Sequence, residues 1–411
     1  MKLSVVAAFI YMLLCVFPPT RALPAYTWVA LFMAGLWALI AFISRPGFFT
    51  IFGDKPVHRL VIMGFVLFTT IFPYLFGNGV IGNRYLLFGQ LLAFYFIYQY
   101  NKKYGMESAN ESIVRWSLPF IGITTVITLF NIVDNPWLAR SIKSSGEASA
   151  ALQARGIGGY EFIYFLTFVC IMATFMWMNK KSLKLTNRVS LGILIFIILG
   201  MLTIAFSNFF TALSIYAIAT TVIVITRMAG LVARTLALLG SLLLLLNWQG
   251  IFLAATNFLI DNLNGRTVER IMSIQSTVIN GSAQEGLFAE RLPVYEQSWN
   301  AFVDNPFFGV VVNQLEFSGG FLVGFGQHSQ FLDTFALYGF IIGCVNIAIV
   351  LYPFITRFTK DRMLTNLNIT MILATVLLFT MNNVTPIIGF AVFFMYPVLY
   401  DFIKKRNPSS L

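Results

Sequence analysis

Long apolar runs recur along the whole chain, each continuous over 15 to 22 residues and separated from the next by a polar segment. A helix rises about 1.5 Å per residue, so roughly 20 apolar residues cross the hydrocarbon core of a bilayer. Lipid offers the backbone no hydrogen-bond partner, so such runs must be helical, and their continuity excludes an alternating membrane β-barrel. The pattern therefore predicts an all-α, polytopic membrane helical bundle with about twelve transmembrane helices. The predicted spans are 3–17, 24–43, 60–76, 84–100, 113–133, 158–178, 189–206, 208–226, 235–256, 331–352, 367–381 and 386–402.

Two segments between the predicted spans are long. Residues 134–159 form a predicted outer loop, and residues 257–330 form a long periplasmic loop that exceeds an ordinary connector. We predict a single integral membrane domain over residues 1–411. The first apolar run also fits a secretory signal peptide. An uncleaved span is favoured, because twelve spans then give a consistent topology.

Composition excludes a soluble enzyme. The chain has 411 residues, of which 58% are apolar and only 10% are charged, whereas soluble domains carry about a quarter charged residues. Cys15, Cys170 and Cys344 lie far apart, as do His58 and His328. Their spacing fits neither a disulfide framework nor a metal site.

The net charge of +11 is explained by membrane topology. Of the 27 lysines and arginines, 19 fall in the segments that share a side with both termini. Cytoplasmic segments of membrane proteins are enriched in these residues. We therefore predict a multi-pass protein of the bacterial inner (cytoplasmic) membrane with both termini in the cytoplasm. No positive charge is left over that requires a nucleic-acid partner.

The other eight basic residues lie on the predicted outer side, where lysine and arginine are normally scarce. Seven of them fall in three segments that the fold can bring together, which suggests a bound anion. Arginine presents a planar fork of donors that suits phosphate. Ion pairs with outer carboxylates such as Glu290 and Glu296 are the alternative. The seven are Arg84, Arg140, Lys143, Arg155, Arg266, Arg270 and Arg291, and the eighth is Arg21.

Part of the long loop has the apolar spacing of an amphipathic helix. Pro293 suits its first turn, and Asn305 followed by Pro306 suits its end. We predict that this helix lies on the outer surface, packs its apolar stripe on the bundle and carries Arg291 at its entry. The stripe consists of Leu292, Tyr295, Trp299, Phe302 and Val303.

His328 follows a glycine-rich stretch and stands just before the predicted tenth span. The free N–H groups and the positive dipole end of that helix attract anions. The same field, together with nearby arginines, favours a neutral imidazole that can accept a proton near pH 7. Ser329 is the predicted helix cap. A hydrogen bond at the membrane interface is the alternative role for His328.

These residues together resemble the O-antigen and capsular polysaccharide polymerase and ligase family. The family pattern is an arginine, a tyrosine four residues later, Asn-Pro-x-x-Gly, and a histidine before a helix that carries two glycines. Many relatives have an arginine in a turn that corresponds to 206–212, and its absence here favours a polymerase over a ligase. Residues 154–162 also resemble an earlier outer loop of polymerases. The matching positions are Arg291, Tyr295, Asn305, Pro306, Gly309, His328, Gly339 and Gly343.

The resemblance implies a GT-C-like fold and a metal-independent glycosyltransferase that needs no cofactor. Its donor is an undecaprenyl-pyrophosphate-linked oligosaccharide, whose anomeric carbon is attacked by a sugar hydroxyl while lipid pyrophosphate leaves. His328 and Arg291 are the implied catalytic residues, as base and as phosphate ligand. Implied partners are a chain-length regulator, a flippase and membrane lipid. The implied substrate-binding residues are Arg84, Arg155, Arg266, Arg270 and Tyr295.

Three other functions are compatible with the sequence. An O-antigen ligase transfers the chain to lipid A core by the same chemistry. A flippase for lipid-linked oligosaccharides is a transporter, for which charged residues within the spans are expected. A cell-wall glycan polymerase of the shape-and-division class would use an outer carboxylate as its base, with Asp261 or Asp304 as candidates.

Overall fold

A computed structural model shows that the part of the chain it describes is almost entirely helical. It describes residues 3–23, 25–45, 47–52, 56–76, 87–135, 138–142, 147–207, 209–227, 292–310, 316–318, 321–323 and 329–406, with scattered positions between 253 and 272.

The helices follow the predicted apolar runs. The first part of the chain forms α1 (Leu3–Val16), α2 (Pro18–Arg21), α3 (Tyr26–Ser44), a 3₁₀ turn (Phe48–Phe52), α4 (Pro56–Phe76), α5 (Leu87–Lys103), α6 (Glu107–Asp134), α7 (Leu138–Ser141), α8 (Glu147–Ala154), α9 (Tyr160–Met178), α10 (Asn187–Phe206) and α11 (Phe210–Arg227). The later part forms α12 (Leu292–Asp304), strands β1 (Glu316–Ser318) and β2 (Phe321–Val323), α13 (Gln330–Ile355), α14 (Arg362–Met381) and α15 (Pro386–Arg406), with a π-helical turn at Phe390–Met395.

Seven helices in the described part of the chain are long and apolar enough to cross a membrane. They are α3, α6, α9, α10, α13, α14 and α15. Shorter apolar helices occupy other predicted spans, including α1. The architecture is that of a helical membrane protein, as the apolar runs predict. The count of twelve spans remains a prediction, and most of the predicted ninth span, 235–256, lies outside the described residues.

α14 begins earlier than its apolar run predicts. The helix starts at Arg362, five residues before the predicted boundary at 367. The carboxylate of Asp361 accepts hydrogen bonds from the Met363 N–H at 2.7 Å and the Leu364 N–H at 3.2 Å. Such a cap satisfies backbone donors at the helix start and allows a polar first turn.

The glycine-rich part of the long loop contains a short hairpin that the apolar pattern does not predict. β1 and β2 pair antiparallel, with Glu316 opposite Val323 and Ser318 opposite Phe321. Two glycines, Gly319-Gly320, separate the strands in sequence, and a two-residue glycine connection is typical of a hairpin. That local signal could have identified the element.

The core of the bundle is formed by α5, α9 and α15. Within the most apolar window of each helix, 83% of residues are buried in α15 and 72% in α9, against 17% in α3 and 22% in α10. α15 approaches α5 so closely that a Cβ on Gly389 would lie 2.8 Å from the Leu91 carbonyl oxygen. The outer helices instead expose large apolar side chains, as lipid-facing helices do.

Polar contacts divide the helix ends into two groups. One group joins predicted cytoplasmic segments through Lys102–Asp401, Lys405–Glu107, Arg362–Thr226 and Arg406–Leu183. The other joins predicted outer segments through Arg21–Glu161, Tyr160–Asn383 and Tyr295–Met381. This partition agrees with the predicted alternation of loops. The side of the membrane on which each group lies remains a prediction.

Candidate functional site

The Asn-Pro-x-x-Gly segment ends α12 and docks on the backbone of α13. α12 ends at Asp304, as the following Asn305-Pro306 pair predicts, and the Gly309 N–H donates to the Asn305 carbonyl at 2.9 Å. Gly309 has a φ of +67°, and a Cβ there would lie 2.3 Å from the Leu337 carbonyl carbon. Only glycine can adopt this conformation easily and also let its backbone come so close to the backbone of α13.

α13 is broken where the loop touches it. Gly339 has φ 77° and ψ −176° inside the helix, and a Cβ there would lie 2.2 Å from a carbonyl oxygen of the loop. In a regular helix the Phe340 N–H would donate to the Ala336 carbonyl. Here the Phe340 N–H donates to the Pro306 carbonyl at 2.7 Å. The Ala336 carbonyl in turn accepts from the Val310 N–H at 2.9 Å. Both groups of this missing helical bond are therefore paired with the loop.

Side chains fasten α12 to the first turns of α13. The Ser298 hydroxyl donates to the Asp333 carboxylate at 3.0 Å, and both residues are buried. The Phe302 ring meets the Phe335 ring edge to face, with 5.4 Å between centroids. A Cβ on Gly343 would lie 2.3 Å from the Phe335 ring, so this glycine leaves room for it. Motif residues that are separate in sequence thus form one packed unit.

The connection between α14 and α15, called here the 381–384 segment, is where three helix starts converge. Hydrogen bonds reach its carbonyls from the Gln330 N–H to Asn382 (3.1 Å), from the Tyr160 hydroxyl to Asn383 (3.2 Å) and from the Tyr295 hydroxyl to Met381 (3.4 Å). Gln330 begins α13, Tyr160 begins α9, and Tyr295 lies in the first turn of α12. Sequence reasoning missed this segment, although its Asn382-Asn383 pair interrupts two apolar runs.

Two of the predicted site residues, Arg155 and Tyr295, are described. Tyr295 is half-buried against the 381–384 segment. Arg155 is exposed just after α8 and has no ion pair in the described part of the chain. The turn that follows it is fixed by a 2.7 Å hydrogen bond from the Gly158 N–H to the Thr128 hydroxyl. The predicted residues Arg84, Arg266, Arg270, Arg291 and His328 lie outside the described residues, as do Lys143 and the side chain of Arg140.

Arg291 and His328 each stand next to a described helix start in the sequence. Arg291 precedes the first residue of α12, and His328 precedes Ser329, the N-cap of α13. The Ser329 hydroxyl accepts from the Leu332 N–H at 3.2 Å, which confirms the predicted cap. The roles of Arg291 and His328 as phosphate ligand and base remain predictions.

Arg21, the remaining outer basic residue, is engaged by the bundle. Its guanidinium forms an ion pair with Glu161 and donates to the Cys15 carbonyl at 3.1 Å. The pair lines a small cleft together with Gln153 and Tyr160. These contacts account for the Arg21 charge without a ligand.

The apolar stripe of α12 packs only in part as predicted: Tyr295 and Phe302 contact the bundle. Trp299 and Val303 were expected against the bundle, yet they are 54% and 53% exposed, whereas the polar Ser298 is fully buried. The hydrogen bond from Ser298 to Asp333 and the packing of Phe302 turn this face of the helix inward. A count of apolar positions does not register a buried serine, so the sequence pattern predicted the inward face of α12 only in part.

The described side chains at this end offer hydroxyl, amide and carboxylate groups. Among the described residues, no cluster of three or more histidine, cysteine, aspartate or glutamate side chains could hold a metal ion. Asp261 and Asp304, the alternative bases, are both exposed. Arg155 is an exposed cation between α8 and α9.

No protein-family model matches the chain, and no curated protein matches its sequence. The likeness to polysaccharide polymerases and ligases therefore rests on the motif residues alone.

Proposed function

We propose that this chain is a membrane glycosyltransferase that polymerises polysaccharide. It transfers undecaprenyl-pyrophosphate-linked glycan onto another lipid-linked repeat unit at the periplasmic face, in the synthesis of O-antigen, capsule or exopolysaccharide. The observation that carries the proposal is the docking of the Asn305–Gly309 segment on the break at Gly339. Two stretches of the family pattern, separate in sequence, form one structural unit in this chain.

The arginines neutralise the negative charge of the leaving group, lipid pyrophosphate. Lipid pyrophosphate leaves as an anion, so the transition state needs positive charge aimed at its oxygens more than it needs a proton donor. Arg291 supplies a planar fork that can bind two phosphate oxygens at once. Tyr295 holds the first turn of α12 on the 381–384 segment, one helical turn after Arg291. The other substrate-binding residues are Arg84, Arg155, Arg266 and Arg270.

His328 removes the proton from the attacking sugar hydroxyl. His328 is bonded directly to Ser329, and consecutive Cα atoms lie about 3.8 Å apart. Because Ser329 is fixed at the start of α13, the proposal puts His328 beside that helix start. α12 and α13 both begin at the 381–384 segment. The residues that precede them, Arg291 and His328, therefore belong to one site in this proposal.

The test is His328→Asn in a strain that lacks the native gene. Asparagine keeps a polar side chain but cannot act as a base, and general-base assistance typically contributes about 10² to 10⁴-fold. We expect single repeat units on the cell surface and no long polymer, at unchanged protein level in the membrane. The measurement is the banding of surface polysaccharide on a gel.

Ser329→Ala is the matched control. It removes the cap hydroxyl at a cost of about 1 kcal/mol, which a large bundle tolerates, so long polymer is expected to persist. Normal banding from His328→Asn would contradict the base role. If His328→Asn makes polymer of normal length that is not attached to lipid A core, the protein would instead be a ligase.

A further inference from the structure

An exposed aromatic surface extends from α12 onto α13. Phe307 and Phe308 in the docked loop are 72% and 73% exposed, far more than aromatic side chains that pack in a protein core. The surface, called here the aromatic edge, consists of Trp299, Val303, Phe307, Phe308, Phe340 and Ile341.

α12 presents three distinct faces. Ser298 and Phe302 face the bundle, and a helix turns about 100° per residue, which places Trp299 and Val303 roughly 100° around from them. Polar, exposed side chains, such as Asn300, follow about 100° further on. The apolar edge of α12 thus lies between its packed face and its polar face, as in helices that lie in a membrane interface.

The aromatic edge is continuous with the surface of a helix that is apolar enough to cross a membrane. Phe340 and Ile341 belong to α13, directly after the break. The hydrogen bond from the Phe340 N–H to the Pro306 carbonyl fixes the loop that carries Phe307 and Phe308 beside them. The exposed apolar face of α13 therefore continues onto Phe307 and Phe308 in the loop that follows α12.

We propose that the aromatic edge inserts into the bilayer leaflet at this end of α13, so that α12 lies in the membrane interface. Lipid acyl chains are the occupant, because the edge extends a surface that α13 already presents to lipid. Tryptophan is enriched at the membrane interface, and tryptophan and phenylalanine are typical of the apolar face of helices that lie in it. Asn300 and Asp304 face water. This inference rests on the membrane architecture and is independent of the proposed reaction.

Spin labelling of the full chain in liposomes tests the insertion. Cys344 is exposed and is first changed to serine, whereas Cys15 and Cys170 are buried and stay. A nitroxide is then attached through Phe308→Cys on the aromatic edge or through Asn300→Cys on the polar face. We expect the label at 308 to collide mainly with oxygen, which partitions into acyl chains, and several-fold less with a water-soluble nickel chelate. The label at 300 shows the reverse.

Two outcomes would overturn the proposal. Nickel collision at 308 equal to that at 300 would mean that the edge faces water. Exclusion of both reagents at 308 would mean that protein covers it, either a second copy or another chain. Phe307→Cys provides a second report from the same edge if the first variant does not accumulate.

Discussion

Gly309 and Gly339 lie where the loop after α12 crosses α13, and each faces backbone atoms next to the other in sequence. A Cβ on Gly309 would lie 2.3 Å from the Leu337 carbonyl carbon, and a Cβ on Gly339 would lie 2.2 Å from the Phe307 carbonyl oxygen. Both have positive φ, at +67° and +77°. Since the obstructing atoms are backbone atoms, neither glycine can be replaced unless the two segments move apart.

Alanine at position 309 or 339 is expected to destabilise the protein by more than the roughly 1–2 kcal/mol of a left-handed backbone alone. The control is Gly105→Ala, because Gly105 has φ +66° and nothing within 4 Å of its Cβ position. The measurement is the thermal midpoint of unfolding in detergent. An equal loss from Gly105→Ala and Gly309→Ala would show that the close approach contributes nothing.

Loss of the Ser298 hydroxyl is expected to loosen α12. Ser298→Ala removes a hydrogen bond to the buried Asp333 carboxylate, and such a loss typically costs about 1–3 kcal/mol. Amide hydrogen exchange over residues 292–304 is expected to become faster. Ser112→Ala is the control, because the Ser112 hydroxyl donates only to the Ser108 carbonyl of its own helix among the contacts described for it. Unchanged exchange in Ser298→Ala would mean that apolar packing alone holds α12.

Arg291→Ala is expected to abolish polymer formation while the protein still accumulates in the membrane. Arg291→Lys is expected to restore it only in part, because lysine is a point charge without the bidentate fork. Arg115→Ala, at an exposed position near the predicted cytoplasmic end of α6, is the matched control and is expected to leave polymer length unchanged. Normal polysaccharide from Arg291→Ala would remove the phosphate role.

Reporter fusions test the predicted orientation. Fusions after Asn179, Arg227 and Lys360 are expected to report a cytoplasmic location, and fusions near Gly146 and Gln284 a periplasmic one. The reason is the excess of lysine and arginine in segments on the first side. A cytoplasmic signal at Gln284 would place the long loop in the wrong compartment for a lipid-linked donor, and the proposed reaction would fail with it.

Helix positions are readable from this sequence because bilayer thickness fixes the length of each apolar run. α12 is readable as well, since Pro293 marks its first turn and Asn305-Pro306 its end. The break at Gly339 was not predicted, because it depends on contact with a loop 30 residues earlier in the chain. The inward face of α12 was predicted only in part for a related reason: the burial of Ser298 depends on its partner Asp333 and not on the spacing of apolar residues along the helix.

The candidate site is readable only in part. The family pattern selects Tyr295 and the glycines, whose packing the structure describes, and the contacts of Arg291 and His328 remain predictions. The 381–384 segment was missed because it acts through backbone carbonyls, which every residue possesses. Residue identity therefore carries little signal for such a role.

Because loop bonds pair the groups at the break in α13, we expect α12 with its docked loop and the first part of α13 to be best exchanged together in protein engineering. In one kind of chimaera, the long loop up to residue 310 comes from another protein and α13 is kept. The Ala336 carbonyl and the Phe340 N–H would then face foreign side chains and backbone. Each of these groups, if left unpaired in apolar surroundings, costs about 1–3 kcal/mol. Exchanges that end after Gly343 keep both loop bonds, and they are the transplants we expect to fold.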